Sequence, residues 1–449
     1  MINKKFLIKK NTEFKKMSDQ IKITCSGCSL LCDDIIIIKH EKDIEKILGT
    51  CLKGKEKFNQ IISKNRILNP LIRKNNSLEK INWDIALDKA VQMINNSIKP
   101  VLYGLSNISC EAQLNAIKIA RKINGFIDSN STICQGQVLN FASKIGITTM
   151  TLTDIINKSD VIILWGVNVV ESIPRLLSKI LFSRGKFRIT GREIKSLIIV
   201  DIYKTASFNV LGTRDLALII KPDNDIELIR FLKKYCREEY KIPAGGNSGI
   251  DKQDLERLIS ILLNSEHISI LTGQALIKPQ GEGHPMKELL ELIKILNKYK
   301  KIGRVSLMMV GGHYNMVGFE HIALAETGKN QSIQFRNGKS VQTEETIISK
   351  LQNQDFDLSI IVGTDPISHF PAAISKNLSS KPMILIDNKK SGTYLIADLI
   401  LPTAITGIEC EGLAFRLDHV PIKLKKIIDP PNNILSDAKL LENILMKLE

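Results

Sequence analysis

The chain has 449 residues, of which 43% are hydrophobic, 24% charged and 5% aromatic. That length exceeds one average domain, and the apolar share excludes a mainly disordered chain. No run approaches the ~20 apolar residues of a spanning helix, so no membrane span is expected. The opening Met1-Ile2-Asn3-Lys4-Lys5 leads into lysines and polar residues instead of a signal-peptide apolar region, and the expectation is a cytoplasmic protein.

The net charge of +16 comes mostly from Lys, spread through stretches such as Lys53-Gly54-Lys55-Glu56-Lys57 and Lys298-Tyr299-Lys300-Lys301. No basic run is interleaved with aromatics, so these read as solvated faces and no nucleic-acid partner is expected. An acidic partner subunit or an anionic substrate fits the same charge.

In chain order, residues 1–20 are polar and Lys-rich and predict a mobile lead-in. Residues 21–68 predict a small cysteine-bearing module with a buried strand at Ile35–Ile38, ended by Asn69-Pro70. Two larger regions are expected after it, 69–245 and 246–449, divided near Pro243-Ala244-Gly245-Gly246-Asn247-Ser248-Gly249. Helical spacing appears at Ile85–Ile94 and Glu111–Ile123. Short apolar strands are expected at 100–104, 161–166, 197–201, 268–273, 358–363 and 383–387. Most of these runs end in Gly or Asp, and helical segments separate several of them. This is the pattern of parallel sheets covered on both faces. The fold class is therefore α/β, multi-domain, with doubly wound parallel sheets, and ligands are expected beyond the carboxyl ends of the strands.

Four of the eight cysteines crowd the first 51 residues, as Cys25-x2-Cys28-x3-Cys32 and, after eighteen intervening residues, Cys51. Three thiolates on one tight loop with a fourth from the next segment make the ligand set of a four-iron four-sulfur cluster. Gly27 and Ser29 suit the bent backbone of such a loop. Structural zinc is the alternative, although zinc sites usually pair two CxxC knuckles and only one is present. Cys134 stands alone in Ser131-Thr132-Ile133-Cys134-Gln135-Gly136-Gln137, before a helix-like segment. A helix N-terminus there would lower its pKa and favour metal ligation or nucleophilic attack, while a lone cysteine is more often an inert, buried small hydrophobe. Cys110, Cys236 and Cys410 read as core or incidental.

Three further clusters carry ligand-type residues: Trp165-Gly166-Val167-Asn168, Gly312-His313-Tyr314-Asn315 and Gly363-Thr364-Asp365-Pro366-Ile367-Ser368-His369. Glycine admits close backbone approach, and amide, Asn, Asp and Thr groups can grip a nucleotide-bearing cofactor. Neither GxGxxG after a first strand nor GxxxxGK[ST] is present, which disfavours an ordinary dinucleotide dehydrogenase or P-loop enzyme.

Taken in order, these residues resemble the B-subunit family of the formylmethanofuran dehydrogenases, which are molybdenum/tungsten bis-pterin oxidoreductases. The likeness runs through the cysteine cluster into Cys32-Asp33-Asp34, Cys134-x-Gly136, Trp165-Gly166-x-Asn168 and Pro174-Arg175. It continues with Gly191-Arg192-Glu193, Val200-Asp201, Gly312-His313-Tyr314-Asn315 and Asp365-Pro366-x-x-His369-Phe370-Pro371. It closes with Leu401-Pro402-x-Ala404, Glu409-x-Glu411-Gly412 and Arg416-x-Asp418. The resemblance implies tungsten or molybdenum held by two pterin guanine dinucleotides and fed by a four-iron four-sulfur cluster on Cys25, Cys28, Cys32 and Cys51. Cys134 would be the protein thiolate on the metal, with Gln135 beside it. Trp165, Gly166, Asn168, Asp201, Thr205, Gly312, His313, Asp365, His369 and Glu411 would contact the cofactor. The implied reaction interconverts carbon dioxide and formate, in a complex whose other subunits include a zinc amidohydrolase-like partner.

The departures fall at the same face. Gln135 stands where the family carries His, and glutamine cannot shuttle a proton as imidazole can. Asp201 lacks the following Pro-Arg, and Gly311 replaces an Arg before Gly312-His313. An alternative expectation is therefore a redox-inactive scaffold subunit of a formyltransferase/hydrolase complex.

Overall fold

In the computed structural model, residues 19–40, 43–186, 191–237, 246–281, 283–341 and 343–448 are described. The expected lead-in lies outside them through residue 18, and Asp19 and Gln20 already open a strand. The antiparallel strands Asp19–Ile23, Ile35–His40 and Asp43–Leu48 form one small sheet. Here Ile35 and Ile37 are buried while Ile36 and Ile38 are half-exposed, so the strand expected to be wholly buried covers the core with one face only. That alternation belongs to an antiparallel sheet packed on a single side.

The apolar runs expected as strands are strands, and they fall into two larger sheets. A five-stranded parallel sheet takes Leu216–Ile219, Ser196–Asp201, Val161–Trp165, His267–Thr272 and Arg304–Met309 in spatial order. One face carries Ile163, Trp165, Ile198, Val200 and Ile270 beneath helices Asp225–Cys236 and Pro285–Tyr299. The other carries Ile162, Leu164, Leu197, Ile199 and Leu271 against the cysteine-bearing sheet. Burial of both faces is why these strands are apolar throughout.

A nine-stranded mixed sheet is built from both sides of this segment. Its parallel centre runs Phe126–Ser129, Pro100–Gly104, Leu358–Val362, Met383–Asp387 and Leu399–Pro402. The hairpins Leu71–Lys74/Ser77–Lys80 and Ile333–Arg336/Lys339–Val341 extend it antiparallel at its two edges. Helices Trp83–Asn95, Cys110–Lys122 and Asp437–Lys447 cover one face, and Ile347–Gln352 with Ala372–Ser379 cover the other.

The sheets cross the division expected at 245/246. Leu216–Ile219 before it and His267–Thr272 after it share the five-stranded sheet, while the nine-stranded sheet draws on residues either side of 161–309. Residues 243–245 of the Gly-rich break lie outside the described ones, and Gly246–Gly249 fall in chain order between strands of the five-stranded sheet. Among the described residues no helix is long and apolar enough to cross a membrane.

Candidate functional site

Each large sheet has one place where its chain order reverses, and loops there diverge to open a crevice. In the nine-stranded sheet this lies between Pro100–Gly104 and Leu358–Val362. Gly104 and Gly363 end these strands at φ +114 and +62, conformations that glycine adopts without strain. The crevice deepens into a cavity of about 240 Å³ walled by Asn107, His313, Asp365, His369, Asp387 and Lys389. Ser26, Gly27, Lys57 and Gln60 close it from the cysteine-bearing module.

Polar groups converge on that cavity. The Asn107 amide donates to His313 Nδ1 at 2.9 Å and to the Gly363 carbonyl at 3.0 Å. Burial, with His369, Lys53 and Lys389 nearby, pushes His313 down to about 4, so the ring is neutral near neutral pH. Asp365 accepts from Ser368 Oγ at 2.6 Å and from Thr393 N at 2.8 Å, and donors of this kind hold its carboxyl below the usual range. Gln60 Oε1 is buried without a hydrogen-bond partner among the described residues, an acceptor left for something outside the chain.

Cys25, Cys28 and Cys32 are buried on the loop after Asp19–Ile23, and Cys51 caps the start of helix Leu52–Asn59. The Cys25 N–H donates to the Cys32 carbonyl at 2.9 Å, and the Gly27 N–H reaches Cys25 Sγ at 3.4 Å. Burial, reinforced by the mutual repulsion of the four thiols, pushes Cys25 up to about 12; burial likewise takes Cys28 to about 11. Among the described residues no three His, Cys, Asp or Glu side chains converge to hold a single metal ion. Lys57, read from sequence as part of a solvated face, lines the cavity next to these thiols, its ammonium 5.7 Å from the Tyr314 ring centre.

The reversal in the five-stranded sheet lies between Val161–Trp165 and His267–Thr272, where Gly166 (φ +59) lets Ala275 approach. The side chain of Gln274, on the second of these loops, hydrogen-bonds Cys134. Cys134 is itself 6% exposed, between the short turn Asn130–Ile133 and helix Gly136–Ile145. The expected lowering of its pKa by the helix is outweighed, because burial pushes the thiol up. Gln135 sends its amide nitrogen to both carboxyl oxygens of Glu320, at 3.1 Å each.

Of the other expected site residues, Trp165 and Asp201 end strands of the five-stranded sheet, and Asn168 and Thr205 lie just beyond them. Trp165 is buried with Nε1 donating to Asp225 at 2.7 Å, and Asn168 is held by Ser207 at 3.0 Å and Glu171 at 2.7 Å. Asp201 ends its strand, its carboxyl pushed up by burial, while Thr205 Oγ1 is buried and unpartnered among the described residues. Gly312 lies in the open groove leading from Leu52 and Lys53 toward His313. Glu411 lines neither cavity and pairs with Lys423 at 3.1 Å on an exposed hairpin. Lys57, Asn107, Asp387 and Glu320 were not singled out from sequence. Glu320 alone left a mark there, as a charged residue inside the apolar stretch Met316–Leu324.

The B subunits of the tungsten-containing formylmethanofuran dehydrogenases 2 of Methanocaldococcus jannaschii and Methanococcus maripaludis are each 28% identical to this chain, over 95% of it and 98% of their own length. A chain of the formyltransferase/hydrolase complex (FhcABCD) of Methylorubrum extorquens, crystallised with methylofuran, superposes with TM-score 0.66 at 16% identity. That match covers 84% of this chain and 98% of the other, and it bears on the fold alone. Residues 66–447 match the molybdopterin oxidoreductase model, and the chain belongs to that family, an oxidoreductase-type subunit whose four clustered cysteines precede the matched span.

Proposed function

We propose that this chain is the B subunit of a formylmethanofuran dehydrogenase-type complex, interconverting carbon dioxide and formate at tungsten or molybdenum held by two pterin guanine dinucleotides. The observation that carries the reading is the alignment of Cys25, Lys57 and the cavity of about 240 Å³ at a sheet's switch point. Cys134 sits at the switch point of the other sheet.

The residues fit the implied groups. A side chain at Gly54 would press to 3.0 Å on Cys25 Sγ, so its absence leaves the sulfur room. Lys53 beside Cys28, and Arg175 with Lys179 beside Cys32, would offset the charge of four thiolates on a four-iron four-sulfur cluster. The orphaned Gln60 Oε1 and the Lys57 and Lys389 ammonium groups suit a pterin amine and phosphates in the cavity. When bound, the metal with its dithiolene sulfurs supplies two-electron chemistry. Cys134 would offer it a thiolate, and Lys57 would bridge cluster and cofactor. Neutral His313, fixed by Asn107, would accept or donate hydrogen bonds without adding charge. A zinc amidohydrolase-like subunit and other partners would complete the complex.

A second reading, a redox-inactive scaffold in a formyltransferase/hydrolase complex, is favoured by Gln135, whose amide is engaged by Glu320 instead of facing a reactant. Elemental analysis of the complex purified without oxygen, with a pterin assay, decides between them. About four irons per chain with one tungsten or molybdenum and pterin supports the redox subunit. Absence of heavy metal and pterin supports the scaffold.

A further inference from the structure

Two residues after Cys32 stands Asp34, whose carboxyl receives both arms of the Arg175 guanidinium, at 2.8 and 2.7 Å. Arg175 immediately precedes the short helix Leu176–Ile180, and Lys179, one turn further on, reaches the same carboxyl at 3.1 Å. The two cations come from the segment that follows Val161–Trp165, and Asp33 and Asp34 come from the cysteine loop, with Lys179 3.8 Å from Asp33. Lys53, on the helix after Cys51, joins the two segments again by donating to the Ser172 carbonyl at 2.7 Å. A bidentate pair fixes a guanidinium in one orientation and gives its other N–H groups a set direction. Held in this fork, the Arg175 side chain also hydrogen-bonds the Cys32 sulfur.

We propose that Arg175, oriented by Asp34, donates to the Cys32 thiolate and sets the reduction potential of the iron-sulfur cluster on the four cysteines. The proposal rests on the functional reading above. In each reduction one electron arrives from a low-potential one-electron carrier. No bond forms or breaks and no proton moves, so the cluster and its sulfurs gain one negative charge. Hydrogen bonds to sulfur and nearby positive charge favour that more negative state and raise the potential. Arg175 supplies both. Of the charges acting on Cys32, those of Arg175 and Lys179 exceed the opposing one of Asp34. Cys25 and Cys28 take hydrogen bonds from the backbone N–H groups of Gly27 and Leu30, whereas the contact at Cys32 comes from a side chain and can be removed by substitution. The Arg175 side chain is 23% exposed, so water screens part of its charge and holds the expected effect to about tenfold.

The test is a redox titration of the full chain purified without oxygen, as wild type, Arg175→Gln, Arg175→Lys and Lys179→Gln. Iron is assayed, and the electron paramagnetic resonance signal of the reduced cluster is followed against the poised potential. Wild type is expected to hold about four irons and to give that signal. At the wild-type midpoint, Arg175→Gln should hold its cluster about tenfold more oxidised, a fall of about 59 mV for a one-electron couple. Arg175→Lys keeps the charge without the fork and should fall between the two. Lys179→Gln removes a charge that makes no contact with the sulfur and should shift less than Arg175→Gln. If Arg175→Gln does not retain iron, Arg175→Lys carries the comparison and must still titrate below wild type. Arg175 midpoints superposing on wild type, or a Lys179→Gln shift as large as that of Arg175→Gln, overturn the proposal alone. Wild type without iron, or with zinc in its place, overturns the functional reading at this site, and the proposal with it.

Discussion

A Cβ placed on Gly311 would lie 2.7 Å from Gln135 Oε1, so the glycine makes the room in which the glutamine carbonyl sits. Glu320 lies on the other side of the same amide, where Gln135 Nε2 meets its carboxyl at 3.1 Å.

Gly311→Ala is expected to destabilise the fold by about 1–3 kcal/mol, the usual range for overpacking a filled interior. Truncating Gln135 to Ala in the same chain should relieve much of that strain. Thermal or denaturant unfolding of the two single variants and the double variant should give a coupling of about 0.5–3 kcal/mol. Additive effects would mean the two positions are independent.

Lys57→Met should leave iron content intact while lowering pterin content and formate-linked activity. The ammonium lines the cavity but supplies no ligand to the cysteine site, and a methionine keeps the length of the stem. Iron and pterin assays on the purified complex check this. Loss of both together would mean that Lys57 holds the module itself.

The sheets were legible in the sequence because strands such as Val161–Trp165 and Leu358–Val362 are buried on both faces and must be apolar at every position. The cavity residues at Gly363, Asp365 and His369 followed from the rule that ligands meet strand ends. Lys57 was not legible, since a lysine turned inward has the same neighbours in sequence as one in water. The Gly-rich stretch after Cys236 has the composition of a domain linker, and strands on either side of it belong to one five-stranded sheet. Glu411 differs again: its motif is intact, but its hairpin carries the carboxylate out to Lys423.

Lys195 gives a pH-dependent prediction. Its side chain is fully buried and donates to the carbonyls of Ile156 at 3.0 Å and Ile180 at 2.9 Å, near the ends of two short helices. Burial lowers its pKa from 10.5 to about 8. Between those two values the unfolded chain binds more protons than the folded one, so this group adds stability as pH rises through that window. As pH falls back through about 8 the added stability is lost. The unfolding free energy of wild type minus Lys195→Met, measured from pH 7 to 10.5, should therefore increase with pH. A flat difference would show that the lysine keeps its ordinary pKa.

A buried ion pair joins the end of the cysteine-bearing module to the C-terminal segment. Arg66 and Glu409 pair at 2.5 Å with side chains 2% and 0% exposed. Arg66 also donates to the carbonyls of Asn388 and Thr403, each at 2.9 Å, and Glu409 accepts from the Ile405 N–H at 2.8 Å. Removing one member leaves a buried charge without its partner, which commonly costs about 3–5 kcal/mol. Replacing both by apolar residues of similar volume removes the desolvation penalty along with the attraction, and is often close to neutral. Glu409→Ala should therefore unfold at markedly lower denaturant than wild type, and Arg66→Met with Glu409→Met should recover most of the difference. Because Asn388 and Thr403 flank the cavity at His313, the single variant should also weaken whatever binds there. If the double variant is as unstable as the single one, the backbone carbonyls held by Arg66 matter more than the ion pair.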